Sequence, residues 1–394
     1  MTTTTPKRVT VITPYLHYDG SSLLLYRFLR WAASAHPEYG FDILYRYDGE
    51  VRKKLEQLSN VEEVIHLAPR KRRLIHRIES PLHRRKLVRL LITPHALYCN
   101  TLPALKWLED FIGNNTGLPL PKTTIHVREL GYWVQRSGIK RESFQGLNST
   151  IIADSSLTGR NLELTLGISD YIVIDEYCDV KEVLRWKGQD LIRKEHGISP
   201  SRPIVGMAGT IEWRKGPDLF LMIAKQLADT MEYPPLFVWV GRFNDELFEY
   251  QMRCDIKQLG LESTVLFLGP KENPYPYYDS MDLFLLSSRE EPFGAVCLEA
   301  GALEIPSICY RGCAGAESFI TRGCGVVVER SDPNAMAEAI KELLENHDRR
   351  KALGRRARKE CEQRYSLEKL LPQLLEAILN RDVPASASDA IQAP

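Results

Sequence analysis

The sequence predicts an α/β protein built from two doubly wound units in series. Three observations support this prediction. Short apolar runs alternate with helical patterns along the chain, which is typical of parallel sheets covered by helices. The 394 residues exceed what one compact core usually holds, which favours two domains. Polar residues and two prolines interrupt the pattern over residues 187–203, so we expect the chain to divide there.

Each apolar run bounded by polar or turn-forming residues is a predicted strand. In the first unit the predicted strands are residues 8–13, 41–47, 62–67, 96–100, 123–130, 149–155 and 171–175. In the second unit they are residues 203–209, 236–242, 264–269, 283–288, 306–310 and 325–329. Helical patterns separate most of these runs, so consecutive strands are expected to pair in parallel.

These patterns predict the domain bounds. We expect a first domain over residues 1–190 and a second over residues 191–365. Apolar residues at helical spacing predict a last helix over residues 366–380, which we expect to return to the first domain. The polar and alanine-rich residues 381–394 are expected to be disordered.

Composition excludes several broad classes. Lys and Arg total 52 against 51 Asp and Glu, so no global charge attracts nucleic acid or a membrane. The first residues lack the apolar run of a signal peptide, and no stretch approaches the roughly 18 apolar residues of a spanning helix, so we expect a cytoplasmic protein. The eight cysteines contain no C-x-x-C pair and predict reduced thiols without a metal.

Glycine-containing loops follow three predicted strands of the second unit. One places Arg214 and Lys215 beside a glycine at a helix start, which suits an anion because free N–H groups and the helix dipole add to the cationic charge. The second contains Gly294, and the third runs from residue 311 to Glu317. Together they indicate a phosphate-bearing ligand across the strand ends. No G-x-G-x-x-G follows a predicted strand, which counts against a nicotinamide or flavin dehydrogenase.

Two glutamates mark the second of these loops. Glu299 lies inside a short apolar helical pattern, where an ionised carboxylate needs a partner, and Glu291 lies eight residues before it. Eight helical residues span about 12 Å. That separation is unsuited to flanking one glycosidic bond, which requires roughly 5–9.5 Å. We therefore expect the two carboxylates to hold two hydroxyl-bearing parts of an extended ligand.

At this point the second half of the chain resembles a known family. The donor-binding domain of the retaining glycosyltransferases of family 4 has the same succession of motifs over residues 203–380, which are GTIEWRKGPDLFL, FVWVGR, the run from VLFLG through EEPFGAVCLEA to PSICY, GVVVE and RYSLEKLL. The spacing from Glu291 to Glu299 matches that family's E-x7-E element. The first half matches only in outline.

The resemblance implies the GT-B fold, in which two Rossmann-like domains face each other across a cleft. It implies a hexosyltransferase that moves a sugar from a nucleotide-sugar donor to a glycan or lipid-linked acceptor in polysaccharide biosynthesis, with retention of configuration and without a metal or other cofactor. A UDP-sugar donor is favoured over a GDP-sugar such as GDP-mannose.

The resemblance also assigns site residues. Glu299 would hold the donor ribose, Glu291 would contact the transferred sugar, and Lys215 would neutralise the diphosphate as the leaving group departs. The further donor-binding residues that it implies are Gly20, Arg128, Arg214, Pro270, Lys271, Phe293, Gly294, Ala295 and Val296. His126 would be a catalytic residue of the first domain.

The chain departs from the family pattern at two places. Thr210 stands where an arginine is common after the first glycine, so the phosphate contact would depend more on Lys215 and Arg214. In TIHVREL, Arg128 directly precedes Glu129 and His126 comes two residues earlier. Residues two apart share a face of a strand, so either His126 or Arg128 could reach the ligand, and a hydrogen-bonded strand histidine remains the alternative.

A basic segment stands out in the first domain. Residues 69–91 combine nine Lys and Arg with repeated Leu, Ile and Val. Such a stretch could contact anionic lipid at the membrane surface, or hold a lipid-linked acceptor, and a solvated basic helix pair is the alternative.

Two other functions share this fold. One is a hydrolysing nucleotide-sugar 2-epimerase, for which acidic residues in the first domain would be needed, and none is identified by its position in the sequence. The other is a catalytically inactive binding subunit, against which the joint presence of Lys215, Glu291 and Glu299 speaks.

Overall fold

The computed structural model describes residues 6–67, 81–113, 117–329 and 332–379 as two compact units. The first contains the described residues up to Asp175 and those from Leu370 onward, and the second contains Glu176–Lys369. The chain therefore changes unit between Asp175 and Glu176, whereas the sequence predicted this boundary at residue 190. The helix at Leu191–His196 belongs to the second unit because Arg193 forms an ion pair there with Asp282 at 2.9 Å.

Every strand predicted from an apolar run is present. The strands are β1 (Lys7–Tyr15), β2 (Tyr39–Tyr47), β3 (Val61–His66), β4 (Ala96–Cys99), β5 (Thr123–Val127), β6 (Ser149–Ala153), β7 (Ile172–Val173), β8 (Ile204–Ala208), β9 (Leu236–Val240), β10 (Val265–Phe267), β11 (Leu283–Leu286), β12 (Ser307–Tyr310) and β13 (Gly325–Val328). Several are shorter than predicted, and β5 ends at Val127, so Arg128 follows the strand instead of sharing a strand face with His126.

Helices connect these strands. Those of the first unit are α1 (Gly20–Ala35), α2 (Val51–Glu56), α3 (Pro81–Ile92), α4 (Leu102–Gly113), α5 (Gly131–Ser137) and α6 (Ser156–Leu166). Those that follow are α7 (Val180–Leu184), α8 (Leu191–His196), α9 (Pro217–Thr230), α10 (Glu246–Gln258), α11 (Tyr275–Tyr278), α12 (Val296–Ala302), α13 (Glu317–Phe319), α14 (Pro333–Glu345), α15 (His347–Gln363) and α16 (Leu367–Ile378). Short 3₁₀ turns occupy Arg141–Phe144 and Trp213–Lys215, and Ile320–Cys324 forms a π-helical turn.

The first unit is a seven-stranded parallel sheet with the order β3-β2-β1-β4-β5-β6-β7. One cluster of its core is largely aliphatic, with Leu44, Leu97, Leu105 and Ile125 fully buried, and the aromatic residues Phe28 and Phe41 are also fully buried. Successive strands are added outward from β1 through β2 to β3, and on the other side from β4 through β5 and β6 to β7. The strand order therefore reverses between the parallel neighbours β1 and β4. In open parallel sheets the carboxyl ends at such a switch point form the ligand-binding crevice.

The second unit repeats this architecture with six parallel strands in the order β10-β9-β8-β11-β12-β13. Its core contains an aromatic cluster, in which Phe220 packs edge-on against Phe237 and Trp239 at ring-centroid separations of 5.2 and 5.1 Å. The switch point lies between β8 and β11, so the loops after these two strands are the candidate binding loops of this unit.

The last helix joins the first unit. From Leu370 onward α16 belongs to that unit, where Thr124 on β5 donates a hydrogen bond to the Ala377 carbonyl at 3.1 Å. The predicted disordered tail and residues 69–80 of the basic segment lie outside the described residues. Among the helices of the described ranges, none has both the length and the apolarity needed to cross a membrane.

Candidate functional site

Three loops meet at the switch point of the second unit, and they follow the neighbouring strands β8, β11 and β12. Backbone hydrogen bonds join them. Arg289 N–H donates to the Arg214 carbonyl at 2.7 Å, and Glu291 N–H donates to the Cys313 carbonyl at 2.8 Å. Gly315 N–H returns a bond to the Glu291 carbonyl at 3.0 Å. The three loops predicted from the sequence therefore form one connected surface, with Glu291 in the middle loop.

Lys215 and Glu291 form an ion pair between the first two loops. Their side chains are only 12% and 9% exposed. Ser288 donates a weaker bond to the same carboxylate oxygen at 3.4 Å. A buried ion pair is favourable only when both side chains are held in good geometry. The contacts that hold Lys215 and Glu291 therefore determine the geometry of the pair.

The lysine is held by the turn that carries it. Trp213–Lys215 form a 3₁₀ turn that ends at Gly216, whose φ of 66° is left-handed. A side chain at Gly216 would lie 2.2 Å from the Ser287 carbonyl, so only glycine allows this close approach of the two loops. Ser287 also donates to the Lys215 carbonyl at 3.0 Å. The ammonium group lies above Gly209, where an added Cβ would be 3.6 Å from Nζ.

Arg214 fixes the loops to each other. Its guanidinium donates to the Glu290 carbonyl at 2.9 Å and pairs with Glu212. The sequence predicted that Arg214 helps Lys215 hold phosphate. In the structure Arg214 binds the backbone of the loop that contains Glu290, whereas Lys215 pairs with the side chain of Glu291.

Gly294 shapes the segment between the two predicted glutamates. Its φ is 94°, and a side chain there would approach Glu291 Cγ to 3.0 Å. Helix α12 begins only at Val296, so Glu291 lies in a loop and its separation from Glu299 is not that of eight helical residues. Glu299 lies in the first turn of α12 and is 6% exposed.

The other residues of the second unit that were predicted to bind the nucleotide-sugar donor lie at two places. Phe293 is buried and packs on Tyr365 with ring centroids 6.1 Å apart, so only its backbone can face a ligand, as can that of Ala295 and Val296 at the start of α12. Pro270 and Lys271 follow β10, which lies two strands from β8 in the sheet. The Lys271 ammonium lies 4.5 Å from the centre of the Tyr277 ring.

The first unit has its own polar cluster at the carboxyl ends of its strands. Gly20 opens α1 beside the N-cap Asp19, which accepts a bond from Ser22 N–H at 2.9 Å. A side chain at Gly20 would meet no described atom within 4 Å. His126 is buried on β5, with Tyr98 Oη 2.9 Å and Arg128 Nη2 3.2 Å from its Nδ1. Burial and the Arg128 charge hold the pKa of His126 well below its usual value.

Two acids of this cluster were not identified from the sequence. Glu129 Oε2 accepts the N–H groups of Leu102 and Arg128 at 3.2 and 2.9 Å, so its carboxylate caps α4. Asp154 follows β6 and accepts the Thr158 hydroxyl at 2.6 Å. Burial raises the pKa of Asp154 to about 7. In the sequence Asp154 comes directly before Ser155, the N-cap of α6, and after the apolar run of β6. This position at the end of a strand could have identified Asp154 as a candidate.

Comparisons with known proteins identify a family, curated relatives and solved structures that this chain resembles. Residues 188–360 match the family described as Glycosyl transferases group 1. The D-inositol 3-phosphate glycosyltransferase of Corynebacterium urealyticum is 31% identical over 198 residues, which are 49% of this chain and 46% of that protein. The lipopolysaccharide core biosynthesis mannosyltransferase LpcC of Rhizobium leguminosarum is 30% identical over 185 residues, 44% of this chain and 51% of that protein.

These matches cover about half the length of either relative, and they support assignment of the second unit to the group 1 glycosyltransferases. The crystal structure of HepE from Anabaena with UDP-glucose superposes with a TM-score of 0.78 at 19% identity, over 95% of this chain and 100% of that one. This likeness confirms the predicted fold class, an α/β protein of two Rossmann-like units of the GT-B type.

Proposed function

We propose that this protein is a retaining glycosyltransferase that moves a sugar from a nucleotide diphosphate donor to a glycan or lipid-linked acceptor in polysaccharide biosynthesis. The observation that carries the proposal is the buried pair of Lys215 and Glu291, held between loops from two strands at the switch point. A cation and an acid at this position suit a ligand with a diphosphate beside a hydroxyl-bearing ring. The group 1 match covers both residues.

In this proposal Lys215 binds the diphosphate. Negative charge grows on the leaving phosphate oxygen as the glycosidic bond breaks, and an ammonium group already fixed in a mostly buried loop stabilises that charge without reorganising. The backbone N–H groups of residues 293–296 would serve the same diphosphate. Positive charge thus comes from the chain, and no divalent metal is required.

Glu291 and Glu299 then have different tasks. Glu291, beside Lys215, would accept hydrogen bonds from hydroxyls of the transferred sugar, and Glu299 would accept those of the donor ribose. Pro270 and Lys271 would border the base. Because Glu291 is paired with Lys215, it is poorly suited to attack the anomeric carbon. We therefore propose departure and attack on the same face, with the acceptor hydroxyl losing its proton to the leaving diphosphate.

We further propose a UDP-sugar as the donor. HepE, which superposes over 95% of this chain, was solved with UDP-glucose, whereas LpcC is named a mannosyltransferase, so GDP-mannose is the competing donor to test. We also propose that the enzyme works on the cytoplasmic side and contacts anionic membrane through residues 69–91. Residues 81–91 of this segment lie in α3, where Arg84, Arg85 and Arg89 are exposed.

A donor screen tests this function. The purified protein is incubated with UDP-glucose, other UDP-sugars and GDP-mannose, and release of nucleoside diphosphate by slow hydrolysis is measured. One donor should be cleaved, and Lys215→Ala should abolish cleavage while Lys225→Ala, which changes an exposed lysine of α9, leaves it intact. If no nucleotide sugar is hydrolysed and neither UDP nor GDP binds, the proposal is wrong.

A further inference from the structure

Stacked aromatic side chains lie at the carboxyl ends of β1 and β2 in the first unit. Tyr15 and Tyr47 are the last residues of these neighbouring parallel strands and pair with each other in register. Their rings stack with centroids 5.1 Å apart, and the His17 ring stacks on Tyr15 at 6.2 Å. Tyr47 is 43% exposed. The rings therefore form an ordered and accessible surface at the edge of the sheet where open parallel sheets bind ligands.

Two arginines belong to this edge of the sheet, and each is held against an aromatic ring. The Arg46 guanidinium lies 5.3 Å from the centre of the Tyr47 ring. Arg136, in the last turn of α5 after β5, lies 5.6 Å from the centre of the Trp133 ring. Such a contact restricts the arginine side chain while the guanidinium keeps its N–H donors for another group. Both arginines are therefore partly ordered before any ligand arrives.

The charges of both arginines act on one hydroxyl group, that of Tyr15. Burial has the largest effect and raises the pKa of Tyr15, whereas the charges of Arg46 and Arg136 act in the lowering direction. Because the pKa remains above its usual value of about 10, the hydroxyl is neutral at pH 7. Tyr15 therefore does not neutralise the two cations, and its hydroxyl can itself donate to an anion.

The acids of the adjoining loops already have other contacts. These are Asp19 with the Ser22 N–H at 2.9 Å, Asp48 with Arg52 at 3.0 Å and Glu50 with His17 at 3.8 Å. Within the ranges that the structure describes, neither Arg46 nor Arg136 forms an ion pair, and the contact given for each is with an aromatic ring. Two cations close to one neutral hydroxyl repel each other, and a bound anion would relieve that repulsion.

We propose that Arg46 and Arg136 bind an anionic group of the acceptor, either the carboxylate of an acidic sugar or the phosphate of a lipid-linked sugar. Both groups offer paired oxygens that match the N–H donors of a guanidinium. The inference rests on the proposed glycosyl transfer, because it names the class of acceptor for that reaction. Neither arginine stood out in the sequence, where each is a single charge close to aromatic residues.

Binding of charged probes to the full chain tests this surface without any sugar donor. Calorimetric titration compares a hyaluronan tetrasaccharide, which carries carboxylates, with uncharged chitotetraose, and geranyl phosphate with uncharged geraniol. At least one charged probe should bind about tenfold more tightly than its uncharged counterpart. Arg46→Gln and Arg136→Gln should each weaken that binding about tenfold, because each removes hydrogen bonds to a charged group. Arg46→Lys keeps the charge without the planar donors, so its affinity should be intermediate.

Arg30→Gln is the matched control. Arg30 also lies against a tyrosine ring, 5.5 Å from the centre of the Tyr26 ring. It comes ten residues after Gly20, the first residue of α1, and therefore lies about 15 Å along the helix from the strand ends. This variant should bind every probe as the wild type does.

The outcomes separate the two sources of the anion. Tighter binding of the tetrasaccharide would identify an acidic glycan as the acceptor, and tighter binding of geranyl phosphate would identify a lipid phosphate. Charged probes that bind no better than the uncharged ones would overturn the proposal, as would Arg46→Gln and Arg136→Gln variants that bind like Arg30→Gln. Donor hydrolysis tests the proposed function separately. A protein that binds a charged probe through both arginines but cleaves no nucleotide sugar would have the anion site without being a glycosyltransferase.

Discussion

Lys215 and Glu291 are 76 residues apart in the chain and form a mostly buried ion pair at the centre of the second unit's strand-end surface. The pair explains how an acid and a lysine coexist where few water molecules can reach. Each charge offsets the desolvation of the other, and an incoming diphosphate would compete with Glu291 for the ammonium group. Stability and donor binding should therefore respond to the same two side chains in different ways.

Lys215→Met should destabilise the protein by roughly 3 kcal/mol, because it leaves the Glu291 carboxylate buried without its cation. The double variant Lys215→Met/Glu291→Leu should recover most of this loss, since both charges are gone, yet it should remain inactive. Urea unfolding and donor hydrolysis measure the two effects. Lys225→Met, which breaks an exposed pair with Asp229, is the matched control and should change stability by less than about 1 kcal/mol. A double variant no more stable than Lys215→Met would contradict the pairing.

Substitutions of Glu291 and Glu299 should have different kinetic effects. Glu299→Gln should mainly weaken binding of donor and of nucleoside diphosphate, because ribose does not change during the reaction. Glu291→Gln should lower kcat more than it raises KM, because the transferred sugar gains charge. Each change should be roughly ten- to a hundred-fold. Calorimetric titration beside steady-state kinetics decides this. Unchanged UDP and GDP binding by Glu299→Gln would exclude the ribose assignment.

Most strands could be predicted because they are apolar runs, and β4, β5, β8, β9, β11 and β12 are buried along their whole length. The loops that follow them could be predicted because parallel strands end together. Gly216 and Gly294 both lie in loops that the sequence predicted, and both have left-handed backbone. Local sequence contains both kinds of information.

Pairings between distant segments were not accessible in this way. Nothing near Lys215 indicates that its partner is Glu291, or that Arg214 bonds the Glu290 carbonyl. The Tyr98 contact with His126 depends on the register of β4 against β5, which the apolar pattern leaves undetermined. The burial of Asp154 could not be predicted either, because a single polar residue after a strand is usually exposed.

Chelation should have little effect on turnover. Because Lys215 and backbone N–H groups supply the positive charge in the proposed site, EDTA should leave the rate of donor cleavage nearly unchanged, and added Mg²⁺ or Mn²⁺ should not raise it more than about twofold. The assay measures nucleoside diphosphate release before and after dialysis against EDTA. Loss of activity that Mg²⁺ or Mn²⁺ restores would show that the phosphate site is not the one proposed.

The basic segment should bind anionic vesicles in a salt-dependent manner. We expect the protein to sediment with phosphatidylserine-containing liposomes at low salt and to be released at high salt, because screening weakens surface attraction. Replacing Arg84, Arg85 and Arg89 of α3 by Gln should weaken binding strongly. The control replaces three exposed cations of α15, Lys351, Arg355 and Lys359, and should bind as the wild type does. Equal binding by the two triple variants would point to a general charge effect.

Asp154 should make stability depend on pH in an unusual direction. Burial raises the pKa of its carboxyl to about 7 in the folded protein, above the roughly 3.9 of an unfolded aspartate. The folded state therefore favours the protonated acid, and this stabilisation is full below about pH 4 and is lost as the pH rises through about 7.

Asp154→Asn should remove that dependence, because the amide stays neutral and its oxygen can still accept the Thr158 hydroxyl. Relative to wild type, the variant should gain free energy of unfolding as the pH rises from about 5 to 8, by a total on the order of 2 kcal/mol. Urea unfolding across this range measures the difference, with Asp229→Asn as the exposed control. A difference between Asp154→Asn and wild type that stays constant over the range would mean that the carboxyl is already ionised in the folded protein, and that Arg128 neutralises it more strongly than burial opposes it.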